Sequence, residues 1–198
     1  MPDDRYPTLD EFFERLDARD VEPDLREELR RRLTREKSGV TRAGDEATVV
    51  AVAERLLPGA VPAKALAVFL DEVFDKQLGR ADDKDGLMPR GELIPTGFRV
   101  LQDHARKRHG KDFSQLTGDQ QDTLLGEAER GNLKGPQRFE SATWFKRTRG
   151  FLLLGYGSDP RGMVEMGFPG PSYKPGHIWL DEGEVQARVE RKPGYLKL

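Results

Sequence analysis

Residues 45–79 read DEATVVAVAERLLPGAVPAKALAVFLDEVFDKQLG, and their periodicity decides the fold. Val49, Val50, Val52, Ala53, Leu56 and Leu57 recur at the three- and four-residue spacing that gathers apolar side chains on one helical face. Pro58-Gly59 closes that run. Pro62 then stands where a first turn accepts proline, because the amide it lacks would have had no partner inside the helix. Leu66, Phe69, Leu70, Val73, Phe74 and Leu78 carry the same period on to Gly79. Two amphipathic helices joined by a short turn predict the centre of a helical core.

Working outward, further helix signals appear on both sides. Thr8 and Glu11 have the spacing of a capping box, and Leu9, Phe12, Phe13 and Leu16 follow as an apolar face. Pro23 opens a second helix with a thin stripe of Leu25, Leu29 and Leu33, stopped by Gly39. Downstream, a helix fits Phe98 to Arg108 with Gly110 as its stop. Thr117 and Gln120 form another capping box, ahead of Leu124, Leu125 and Ala128. Phe139, Ala142, Trp144, Phe145, Phe151 and Leu152 suit a last long helix ending near Leu154. From 155 to 176 turn residues dominate, and the alternation of Val185, Ala187 and Val189 allows a short hairpin with His177 to Leu180. The expected fold is all-α: one compact domain of about six to seven helices, with an N-terminal helical extension (1–44), a core (45–154) and an irregular Gly/Pro/aromatic arm (155–198).

Composition narrows the chemistry. The 198 residues carry 33 basic and 35 acidic side chains, a net charge of -2 that gives no pull toward nucleic acid or anionic lipid. There is no cysteine, which removes thiolate nucleophiles, disulfides and cysteine-held metal or iron–sulfur sites. No stretch reaches the roughly 18 to 20 apolar residues of a membrane span, so direct membrane insertion is not expected.

Four constellations imitate functional motifs. Gly157 to Gly162 has the glycine spacing of a phosphate loop, but Met163 and Val164 stand where lysine and a hydroxyl residue belong, and a helix precedes it where a strand should. Residues 81–92 place Asp83, Asp85, Gly86, Met88 and Glu92 on positions of a calcium loop; Ala81 occupies the first ligand position, and Pro95 is expected to break the exiting helix. The bland reading is an acidic turn, with a calcium-responsive module as the weaker alternative. His104 and His109 are five apart, the wrong spacing for a zinc pair on one face, and His177 lies in the arm. The basic run Arg106 to Lys111 is flanked by acids and lacks interleaved aromatics, so it reads as a solvated helix end. What remains is the arm, whose Phe151, Tyr156, Phe168, Tyr173 and Trp179 sit among Gly and Pro, the composition of an interface or of a coil wrapped on its own domain.

In order along the chain, VVAVAERLLPG (49–59), FLDEVF (69–74), DFSQLTGDQQDTLL (112–125) and FLLLGYGSDPRGMVEMGFPGPSY (151–173) resemble the gluconate 2-dehydrogenase subunit 3 family. The last piece is similar to that family's closing signature, with Gly155-Tyr156, Asp159-Pro160 and Gly167-Phe168-Pro169-Gly170 on its positions. Where the family often has Gly-Gly-Asn, this chain has Arg161, Gly162 and Met163.

The resemblance implies a non-catalytic accessory subunit that aids assembly or maturation of an FAD-dependent gluconate, alcohol or polyol dehydrogenase. On that reading the chain carries no cofactor of its own, FAD sits in a flavoprotein large subunit, and a cytochrome c subunit is a further partner. The expected contacts are Tyr156, Asp159, Pro160, Phe168, Pro169, Gly170, Tyr173 and Trp179. The family's usual twin-arginine leader is not seen, so the expected location is cytoplasmic, or periplasmic if a leader-bearing partner carries the chain out. The alternative is a stand-alone helical interaction protein with no dehydrogenase partner.

Overall fold

The computed structural model describes residues 8–18, 21–75 and 88–167. Among them run eight α-helices and no strand: α1 (Leu9–Ala18), α2 (Pro23–Arg32), α3 (Glu46–Leu56), α4 (Ala63–Asp75), α5 (Arg90–His109), α6 (Gly118–Glu129), α7 (Ser141–Ser158) and α8 (Pro160–Glu165). Short 3-10 turns at Arg35–Lys37 and Phe113–Gln115 complete the order. The described residues form an all-α domain, as the periodicity predicts; the expected hairpin at 177–189 lies outside the described residues.

The anticipated pair, α3 and α4, is the centre of the core. Asp45 caps α3 by accepting from the Thr48 amide at 3.1 Å. Val49, Val52, Ala53, Leu66 and Leu70 are all sealed from solvent. Around them α5, α6 and α7 supply Ile94, Phe98, Leu101, Leu124 and Trp144. Trp144 meets Phe98 edge-on at 5.3 Å between ring centroids, and its Nε1 donates to the Ile94 carbonyl at 3.2 Å. An indole buried with its one donor satisfied fixes the crossing of α5 and α7.

Two expectations need correction. Helix α5 begins at Arg90, eight residues before Phe98, and runs through Pro95. An interior proline costs a helix about 3 kcal/mol, but Leu93 and Ile94 are both buried there, at roughly 1.5 to 3 kcal/mol each. Burial therefore outweighs the lost hydrogen bond. Likewise α7 continues past Leu154 to Ser158, into residues whose glycines read as turn. Gly155 is buried because the Phe69 ring of α4 lies 2.7 Å from where a Cβ would project. The close packing of α4 on α7, which no local propensity encodes, keeps that turn helical.

Asp71 of α4 fastens the segment before α3. Its carboxylate accepts from the amides of Thr41 (3.2 Å), Arg42 (2.6 Å) and Ala43 (2.9 Å), and from the Thr41 hydroxyl. Burial alone would push this carboxyl up, but the converging donors outweigh it and hold it below the ordinary aspartate value of 3.8. A carboxyl depressed on folding stabilises the fold above its unfolded value, and that contribution is lost as pH falls through the lower folded value. The expected result is an acid limb, below about pH 4, that becomes shallower in Asp71→Asn when Tm is followed against pH. Equal acid limbs in both proteins would contradict this role.

Candidate functional site

The closing signature forms a corner between α7 and α8. Asp159 is the N-cap of α8 and Pro160 its first residue, the pairing that helix starts favour because the cap accepts an orphan amide and proline lacks one. The Asp159 carboxylate accepts from the Arg161 amide at 3.0 Å and, in a fork, from Arg161 Nε and Nη2 at 2.9 Å each. Asp159 is only 1% exposed. Its carboxylate thus occupies the start of α8.

Tyr156 ties the same corner to the α3–α4 turn. Its hydroxyl donates to the Glu165 carboxylate, and the Ala60 amide donates to both, at 3.2 Å to the tyrosine oxygen and 2.9 Å to the glutamate. Gly162 lies against the Tyr156 carbonyl oxygen, so closely that a Cβ would fall well inside van der Waals contact with main chain. Arg161-Gly162 is thus needed by the corner itself.

The N-terminal helices close the other side. Phe12, Leu16, Val21 and Leu29 form a small core of their own, against which Met163 and Val164 of α8 pack. Arg161 Nη1 reaches Glu36 at 3.0 Å, and Arg32 Nη1 donates to the Ser158 carbonyl at 2.8 Å, a cation placed at the C-terminal end of α7. Arg35 is buried beside them, with Nε 3.4 Å from Glu72 and its guanidinium 5.0 Å from the Phe69 ring centroid. Burial pulls the Arg35 guanidinium below its ordinary value while Glu72 draws it back. Of the three residues that depart from the family's Gly-Gly-Asn, Arg161 and Met163 meet the chain's own N-terminal segment and Gly162 packs on Tyr156.

Of the expected contact residues, Asp159 and Pro160 are therefore buried and Tyr156 is half-buried and hydrogen-bonded inside the domain. Their described role is to hold the corner. Phe168, Pro169, Gly170, Tyr173 and Trp179 lie outside the described residues. What sequence reasoning missed is the clamp of Arg32, Arg35 and Glu36, which are more than a hundred residues from the corner and have no local signal. Helix α8 did have one, since Asp-Pro is itself a helix-start pair.

The other motif-like stretches are described in part. Residues 81–87 lie outside the described set; Met88 packs on the core and Glu92 sits in the first turn of α5, which Pro95 does not break. Among the described residues no group of three or more potential ligands could hold a metal ion. In the basic run, Arg106 pairs with Asp112 and Arg108 with Glu127; just before it, His104 meets the Lys134 carbonyl. No helix among the described residues is long and apolar enough to cross a membrane.

The model of one protein family, gluconate 2-dehydrogenase subunit 3, matches residues 43–174, more than half of the chain and inclusive of the whole corner. No curated protein and no solved structure matches significantly.

Proposed function

Given that the chain belongs to the gluconate 2-dehydrogenase subunit 3 family, we propose that it is the non-catalytic small subunit of an FAD-dependent dehydrogenase complex. The family match over residues 43–174 carries this reading. It is supported by the chemistry of the site, in which the polar side chains of the corner are consumed in holding helices together. The glycine-spaced turn at 157–162 holds the Asp159 carboxylate, bound by the amide and guanidinium of Arg161. In this proposal FAD sits in the flavoprotein large subunit, with a cytochrome c subunit as the onward electron acceptor.

In this proposal the corner is a platform and the arm that leaves it supplies the contacts. Phe168, Pro169, Gly170 and Tyr173 follow directly after Gly167, and aromatics on a proline-pinned backbone give contact area at low ordering cost. The small subunit folds beside its partner, assists its assembly, and travels with it where the partner carries a leader.

Purification of the full chain from its own host tests this. A stoichiometric flavin-bearing polypeptide should co-elute with it at low and moderate salt. Recovery as a free monomer at every salt concentration would reject the complex and leave a stand-alone interaction protein.

A further inference from the structure

Only three large apolar side chains among the described residues are strongly exposed: Leu153 at 47%, Leu154 at 57% and Met166 at 56%. They are not scattered. Leu153 and Leu154 share the outer face of α7 with Gly157, one turn on, and Met166 Cε lies 3.5 Å from where a Gly157 Cβ would stand. Isolated surface leucines need no explanation, but apolar residues gathered on an otherwise charged surface mark a place that something covers.

The same face has a second character toward the N-terminus of α7. Lys146 and Arg149 are exposed there, at the helical spacing that continues the line of Leu153 and Leu154, and neither makes an ion pair with another described residue. The face is a strip, apolar at the corner end and cationic at the other. Its two halves are about 9 Å apart, at 1.5 Å per helical residue.

The chain beyond Gly167 carries the complement. Residues 178–184 read Ile-Trp-Leu-Asp-Glu-Gly-Glu, three apolar residues followed by three acids in four positions. In an extended segment Trp179 and Glu182 are separated by about 10 Å, at some 3.3 Å per residue. The eleven-residue link from Gly167 to Ile178 spans up to roughly 36 Å, far more than the strip requires. It starts beside Met166.

We propose that residues 178–184 dock along the exposed face of α7, with Ile178, Trp179 and Leu180 on Leu153, Leu154 and Met166, and Asp181 and Glu182 on Arg149 and Lys146. The arm is then fastened at both ends, at Gly167 by α8 and at Trp179 by α7. Trp179 becomes an intramolecular anchor instead of a partner contact, and the intervening loop from Phe168 to His177 is what the protein presents outward. The docking needs no partner subunit, so it stands or falls separately from the dehydrogenase reading.

The natural chain lacks cysteine, so an engineered pair reports one contact without background. The full-length double variant Leu153→Cys with Leu180→Cys should close an intramolecular disulfide under mild oxidation. It should do so about tenfold faster than Ala142→Cys with Leu180→Cys, which shares the tether but sits at the far end of α7. Arg149→Glu in the first pair should slow closure at least about threefold at low salt and little at high salt, and Asp181→Lys with Glu182→Lys should restore it. Circular dichroism on each variant establishes that the helices are intact. Equal rates for the two cysteine pairs would overturn the proposal. Disulfide-linked dimers forming in preference to the closed monomer would assign the strip to a second copy, and would overturn it too.

Discussion

Asp159→Ala is expected to lower the stability of the free chain by about 4 kcal/mol, the cost of removing one partner from a buried, forked ion pair. The loss has two parts. Without the carboxylate, the α8 start loses its cap, worth about 1 kcal/mol, and Arg161, whose side chain is 17% exposed, keeps only Glu36. Asp159→Asn retains an acceptor for the Arg161 amide but not the charge, so its loss should be intermediate. Urea unfolding of the three proteins checks the order. A value for Asp159→Ala within about 0.5 kcal/mol of wild type, the range of an ordinary surface substitution, would show that the Asp-Pro corner is not structural.

Gly162→Ala should cost about 3 kcal/mol, the upper range for overpacking. The atom a methyl group would strike is the Tyr156 carbonyl oxygen, which belongs to the main chain of α7 and cannot rotate away as a side chain would. Relief requires α8 to move off α7, which in turn loosens Met163 and Val164 from the N-terminal core and Glu165 from Tyr156. Gly150 is the control: it is helical with nothing near its absent Cβ, so alanine there should be neutral or stabilising by up to about 1 kcal/mol. Thermal melts should show a clear drop in Tm for Gly162→Ala and no drop for Gly150→Ala.

The elements that sequence predicts well are those with complete local signals. Helix α1 has its box, with Thr8 accepting from the Glu11 amide and the Glu11 carboxylate accepting from the Thr8 amide, and α6 has the same exchange between Thr117 and Gln120. Helices α3 and α4 combine period, cap and proline. The misses fall where tertiary packing overrides propensity: Pro95 is carried inside α5 by the burial of Leu93 and Ile94, and Gly155 is carried inside α7 by Phe69. The candidate site divides in the same way. Its signature residues were legible as a group, but their burial was not, because it depends on α1, α2 and Glu36 folding back over α8 from the other end of the chain. An aspartate followed by proline looks alike whether it caps a sealed helix or ends an exposed loop; only the distant arginines decide.

The corner and the arm therefore have separable duties, and the central claim is that the arm, held by the corner, meets a flavoprotein partner. The most direct test measures Tm and flavoprotein recovery together, on full-length wild type and Tyr173→Ala purified from the native host. The account predicts an unchanged Tm for Tyr173→Ala with clearly reduced recovery of the flavin-bearing subunit. Full recovery with Tyr173→Ala, or no flavoprotein with wild type, would contradict it.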